Sequence, residues 1–245
     1  MEKRIFTIDS NVEIAKDSYR MVLSSDKPVS MSPGQFVDIA LEGFYLRRPI
    51  SVCDCTGMTF TIVYKVVGEG TAVMSRMQAG QTLEVLTALG HGFNVDACKE
   101  AALLVGGGLG AAPMYLLAKE LIAKGIKVTV VLGFNKADEI MLESELRELG
   151  AEVLISTMDG SIGTKGFVTD AIREHAPAFD YFYTCGPLPM MKALCQSIEG
   201  DGEVSLEERM GCGAGYCYGC SCKTSVGTKR ICKDGPVFKK EEVLW

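Results

Sequence analysis

The chain has 245 residues, 47% hydrophobic and 23% charged, with a net charge of −6. That balance suits a globular protein of about two domains and a small appendage, and it argues against a general nucleic-acid binder, which needs a basic surface. No apolar run approaches the ~18–20 residues of a membrane span, and the N-terminal Met1-Glu2-Lys3-Arg4-Ile5-Phe6 has no signal-peptide pattern, so no membrane association and a cytoplasmic location are expected.

Residues 1–97 read as an all-β unit. Gln35 to Leu41 and Thr82 to Leu86 alternate apolar residues, and Thr59 to Val67 is rich in β-branched and aromatic side chains. Glycines punctuate these runs, as in a barrel or sandwich. A short helix is expected at Thr71 to Met77. Near residue 100 the pattern changes to regular β–α alternation. Strands are predicted at 101–105, 128–132, 153–156 and 181–185, and helices at 112–124, 142–149, 167–175 and 189–198. Alternation of this kind implies a parallel sheet with helices on both faces, over residues 98–200. Residues 201–245 form a short cysteine-rich tail.

The chain has ten cysteines, and five of them (Cys212, Cys217, Cys220, Cys222 and Cys232) lie in this tail. In a reducing cytosol such clustering indicates metal rather than disulfides. The spacing Cys212-x4-Cys217-x2-Cys220-x11-Cys232 follows the plant-type [2Fe–2S] pattern of C-x4-C-x2-C with a later fourth cysteine. Two sulfide-bridged irons need two thiolates each. Glycines at 211, 213, 215 and 219 let the loop bend around such a cluster. A structural zinc site is the alternative, but zinc sites of four cysteines usually repeat C-x2-C. Cys222 is a spare that could stand in for Cys220.

Two segments suggest phosphate binding. In Arg47-Arg48-Pro49-Ile50-Ser51 an arginine can pair with a phosphate and the serine can bond a ring edge, although the segment also fits an ordinary solvated turn. Gly68-Glu69-Gly70-Thr71 opens the short helix, whose N-terminus offers N–H groups to phosphate. Further on, Gly106-Gly107-Gly108-Leu109-Gly110-Ala111-Ala112-Pro113 joins a predicted strand to a helix, the context of a dinucleotide fingerprint. The acidic residue expected after the next strand is missing from Gly133-Phe134-Asn135, so a glycine-rich turn without nucleotide stays open.

Arg48-Pro49-Ile50-Ser51, Gly70-Thr71, Gly108 to Pro113 and Thr184-Cys185-Gly186-Pro187, in that order, resemble the ferredoxin–NADP reductase superfamily. With the cysteine tail added, the whole chain resembles the electron-transfer subunits of class 1B dihydroorotate dehydrogenases. The resemblance implies an antiparallel FAD-binding β-barrel, an α/β NAD-binding domain and a small C-terminal [2Fe–2S] domain. It implies that Arg48, Pro49, Ile50 and Ser51, then Lys65, Val66 and Val67, then Gly70 and Thr71 hold FAD. Gly108, Gly110, Pro113, Cys185 and Gly186 would shape the NAD pocket, and Cys212, Cys217, Cys220 and Cys232 would ligate the cluster. It also implies an FMN-containing, dihydroorotate-oxidising partner, two copies of each subunit, and a path from FMN through [2Fe–2S] and FAD to NAD+ in pyrimidine biosynthesis. A subunit of a sulfide dehydrogenase or a transhydrogenase-like complex is the rival. No catalytic acid–base residue is expected. Where many reductases have tyrosine before the FAD serine this chain has Ile50, so no aromatic stack is available there.

Overall fold

The computed structural model describes residues 1–245. Six antiparallel strands close a barrel: β1 (Glu2–Ala15), β2 (Ser18–Ser24), β3 (Phe36–Ile39), β4 (Arg48–Thr56), β5 (Thr59–Lys65) and β6 (Thr82–Leu89). Their order around it is β1-β2-β5-β4-β3-β6. Closure leaves no open edge. The helix α1 (Glu69–Met74) follows β5. Alternate residues fill the barrel: Phe6, Met21, Val37, Ile39, Val52, Phe60, Ile62 and Val85 are all buried. Phe6 meets Phe60 edge-on at 4.9 Å, a favoured aromatic geometry.

The second unit is a sheet flanked by helices. In chain order it holds β7 (Ala101–Gly107), α2 (Ala111–Ala123), β8 (Lys127–Phe134), α3 (Glu143–Glu148), β9 (Glu152–Thr157), β10 (Thr164–Lys165), α4 (Val168–His175), β11 (Tyr181–Cys185) and α5 (Leu188–Ser197). The tail adds β12 (Gly202–Ser205), the hairpin β13 (Ser221–Thr224) and β14 (Gly227–Arg230), the single turn α6 (Ile231–Asp234) and β15 (Val237–Lys239). The sheet order is β10-β9-β8-β7-β11-β12-β15. Leu103, Leu104 and Val105 are wholly buried, as a strand covered on both faces requires.

Two features were not legible in the sequence. The N-terminal hairpin of β1 and β2 carries many polar residues, and its alternation shows only once it is paired. The tail contributes two strands to the main sheet: β12 runs parallel to β11, and β15 returns antiparallel to β12. Between them, the cysteine-bearing segment is folded back over the barrel.

The units are joined along α2, where the Lys119 ammonium reaches the Asp54 carboxylate at 2.8 Å and the Thr56 hydroxyl at 2.9 Å on β4. A second polar staple sits at the exposed start of β11. Asp180, just before β11, accepts N–H bonds from Glu100 at 2.7 Å and Lys99 at 3.3 Å, and the Cys98 thiol at 3.0 Å. Burial works against its charge, yet these donors hold its pKa below the usual carboxylate value. A depressed folded pKa gives stability that is present above the unfolded value and lost as pH falls through the folded one. Asp180→Asn should therefore lower stability at pH 7 by about 1 kcal/mol. The gap from the parent should close below about pH 4 in thermal melts taken across pH.

Candidate cofactor sites

The four tail cysteines come together as two pairs. The Cys217 N–H points at the Cys212 sulfur at 3.4 Å, and the Cys232 N–H points at the Cys220 sulfur at 3.4 Å. Zinc needs four ligands around one centre, whereas a two-iron cluster needs two thiolates at each end, and the pairs fit that. Backbone N–H groups point at the sulfurs: Gly215 to Cys232 at 3.1 Å, Tyr216 to Cys212 at 3.2 Å and Gly219 to Cys217 at 3.4 Å. Burial raises the Cys212 thiol, but the N–H groups of Ala214, Cys217 and Tyr216 outweigh it and bring the pKa down to about 6. Burial, then the neighbouring Cys220, pushes Cys232 up to about 12. Cys220 and Cys232 are buried and Cys217 is exposed, so the loop has an inner and an outer pair. Cys222 stands apart in the hairpin, opposite Lys229.

Between barrel and sheet lies a cavity of about 270 Å³. Pro49, Ile50, Ser51, Lys65, Val67 and Thr71 line it from the barrel, and Leu109 from the glycine-rich turn. Val66 is outside the lining, its N–H bonded to the Asp17 carbonyl at 2.8 Å. The Arg48 guanidinium lies over the Phe44 ring at 4.7 Å and directly against Gly70, where a Cβ would strike it. This cradle fits a diphosphate: a bidentate cation beside a backbone with no side chain in the way. The Thr71 hydroxyl accepts the N–H of Val67 at 3.0 Å and donates to the Gly68 carbonyl at 3.1 Å, so it holds the turn that presents Gly70. Gly70→Ala should displace Arg48, a flexible neighbour, with little loss of fold. FAD retention is expected to fall about tenfold, the low end of what a lost charge-assisted contact costs, as read by flavin fluorescence on dilution.

The carboxyl ends of β7, β8, β9 and β11 surround a second cavity of about 400 Å³, bounded by Gly107, Gly108, Asn135, Glu139, Pro187 and Met190. Strand order reverses between β7 and β11, and such a switch point is where open α/β sheets bind nucleotides. Gly110 lies beneath this crevice against the Cys185 carbonyl, with no room for a Cβ. Pro113 is buried in α2. Gly186 is at φ +149 beside Met190. Gly108 forms part of the wall, while Gly110, Pro113, Cys185 and Gly186 form its support.

Three carboxylates at these sites were missed from the sequence. Glu139, which a short turn brings back beside the end of β8, accepts the Asn135 N–H at 3.2 Å and side-chain amide at 2.8 Å. Its other oxygen pairs with the Lys65 ammonium of the barrel at 3.2 Å, so Lys65 bridges the two cavities. Glu207, just past β12, opens into the cavity between the units, and burial there raises its pKa. Burial, then the Glu207 charge, lifts the Cys185 thiol to about 12, so Cys185 is a buried neutral thiol behind the wall and not a thiolate nucleophile. The third, Asp38, faces the cysteine loop. The only sequence signals were the Asp-Glu pair at 138–139 and the acidic Glu207-Glu208 beside the cysteines.

Comparison with known proteins agrees with this geometry. Residues 104–196 match the oxidoreductase NAD-binding domain, and residues 207–244 match the iron–sulfur cluster binding domain of dihydroorotate dehydrogenase B. A dihydroorotate dehydrogenase B (NAD(+)) electron transfer subunit of Fusobacterium nucleatum is 44% identical, covering 97% of this chain and 96% of the relative. Its counterpart in a Geobacillus species is 46% identical over 100% and 99%. Among solved structures, the NADH-dependent reduced ferredoxin-NADP oxidoreductase, described for flavin-based electron bifurcation, superposes at TM-score 0.89. It shares 34% identity, over 99% of this chain and 90% of that one. A ferredoxin NADP+ reductase from Neisseria gonorrhoeae with bound FAD and NADP shares the fold at TM-score 0.70 and 16% identity, over 80% and 90%. Full-length identity at this level, with the paired cysteines and the two cavities, places the chain in the family of dihydroorotate dehydrogenase B (NAD(+)) electron transfer subunits.

Proposed function

We propose that this chain takes electrons from an FMN-containing catalytic partner that oxidises dihydroorotate and delivers them to NAD+, in pyrimidine (UMP) biosynthesis. The observation that carries the reading is one chain holding three adjoining sites: a paired-cysteine loop, a cavity between barrel and sheet, and a crevice at the switch point. Bound there, [2Fe–2S] moves single electrons while FAD exchanges single electrons for a hydride, so a one-electron donor can serve a two-electron acceptor.

The protein's own part is placement and electrostatics. Cys212, Cys217, Cys220 and Cys232 hold the cluster. Arg48 and the Gly70 turn take the FAD diphosphate, with Ser51 and Ile50 along the ring. Gly108 and its support leave room for the NAD pyrophosphate. Glu207 and Glu208 are the carboxyls opening into the cavity between barrel and sheet. The outer cysteine, Cys217, with exposed Tyr216 and Tyr218, forms the face a partner would cover. A heterotetramer of two subunits of each kind, in the cytoplasm, completes the proposal; no helix is long and apolar enough to cross a membrane.

A second reading has specific support from the 34% identical bifurcating relative: an NADH-linked subunit of a transhydrogenase-like complex. One experiment separates the two. In the anaerobic native complex, dihydroorotate should bleach the flavin and iron–sulfur absorbance, and NAD+ should restore it. Bleaching by NADH alone would keep the reductase and remove the pyrimidine role.

A further inference from the structure

We propose that Asp38 sets the reduction potential of the cluster, acting as a fixed negative charge behind the cysteine loop. The inference rests on the [2Fe–2S] reading above.

Strand β3 alternates. Val37 and Ile39 point into the barrel core, so Phe36 and Asp38 point out. An outward aspartate on a barrel wall would ordinarily meet water. Here the tail covers it: Phe36 packs in the same cluster as Cys220 and Cys232, and Asp38 is only 2% exposed. A Cβ on Gly213 would collide with the Asp38 Oδ2. The carboxylate therefore lies against the backbone between the first two cluster cysteines. Its Oδ1 has no hydrogen-bond partner, and it takes part in no ion pair.

The nearby cations are committed elsewhere. The Arg47 guanidinium pairs with Glu84 on β6, which also holds Lys3, and of Asp38 it reaches only the main-chain carbonyl, at 3.3 Å. Arg48 is held over Phe44 and against Gly70. Burial, opposed by Arg47 and Arg48, raises the Asp38 pKa to about 6, which leaves it ionised at pH 8.

A buried carboxylate without a partner is costly. Its position gives it an electrostatic use, because charge near an iron–sulfur centre tunes its potential and a low-dielectric surrounding strengthens that effect. The step concerned transfers one electron from the reduced flavin of the partner to the iron pair. No bond forms or breaks at Asp38 and no proton is taken up. The carboxylate repels the incoming electron and lowers the potential, which favours onward transfer.

The test is an anaerobic potentiometric titration of the assembled complex at pH 8, following the paramagnetic signal that appears when the cluster gains an electron. Asp38→Asn should shift the reduction equilibrium about tenfold toward reduction, or 59 mV for one electron. Asp38→Ser should shift it the same way, and Asp38→Glu, which keeps the charge, should stay near the parent. The flavin couple should move less than the cluster. An unchanged cluster potential in Asp38→Asn or Asp38→Ser with full iron content would overturn the proposal, as would an equal shift in Asp38→Glu. If Asp38→Asn fails to assemble, the serine variant decides. A colourless parent protein containing zinc would instead sink the cluster reading itself, a distinct result.

Discussion

Replacing Cys220 or Cys232 with serine is expected to abolish the iron–sulfur absorbance and its paramagnetic signal, while Cys222→Ser keeps both. The three cysteines are close in sequence or space, so the contrast tests the site and not merely the tail. Cys220 and Cys232 are 2% and 3% exposed, the Cys232 N–H points at the Cys220 sulfur, and the Cys232 sulfur receives an N–H bond from Gly215. Cys222 sits in the β13–β14 hairpin opposite Lys229, outside both thiol pairs.

Loss of a ligand should reduce iron affinity by more than about 100-fold, beyond the range of outer-shell substitutions. Because metal binding contributes to folding where the polypeptide core is small, the inner variants should also loosen the tail. Limited proteolysis should then cut between 207 and 235 well before the barrel. Cys212→Ser and Cys217→Ser should lose the cluster equally but leave the buried pair packed, so their tails should be cut more slowly. Retention of a full signal in Cys220→Ser, with loss in Cys222→Ser, would reverse the ligand assignment.

Gly110→Ala carries the second large effect. Gly110 has ordinary helical backbone angles, so conformation is not the obstacle. Space is: the new Cβ would meet the Cys185 carbonyl oxygen and carbon and come within 2.8 Å of the Gly186 nitrogen. All three are backbone atoms, so no side-chain end can swing aside. The turn after β7 and the turn after β11 would have to separate, and these form the two sides of the nucleotide crevice. Overpacking of this kind costs about 3 kcal/mol. A shift of ~1 Å in a positioned reactant costs about 100-fold in rate.

We therefore expect NAD+ reduction to fall about 100-fold, with flavin and cluster spectra retained. Gly125→Ala is the control. Just past α2 and outside the crevice, at φ +80, it has open space around it, so only left-handed strain of about 1 kcal/mol is at stake, and the rate loss should be much smaller. Equal losses in the two variants would show that crowding at Gly110 is not what shapes the crevice.

The sequence carried the features that depend on near neighbours. Cysteine spacing, glycine clusters and alternating apolar residues act over a few positions, so the barrel-plus-sheet architecture, the cysteine-rich tail and the glycine-rich strand-to-helix turn could all be anticipated. Tertiary structure decided what depends on remote chain segments meeting. The tail's strands β12 and β15 are too short to stand out by periodicity and become strands only by pairing with β11 and each other. Glu139 comes to the end of β8 because a short turn folds it back onto Asn135. Lys65, expected along the flavin, also reaches the second unit through its ion pair with Glu139. Asp38 reads as a solvent-facing residue of an alternating strand, and only the cysteine loop lying across that wall makes it a buried charge. Local spacing is set by covalent geometry and survives in the sequence; a carboxylate's environment is set by whatever packs over it, and that is known only once the chain is folded.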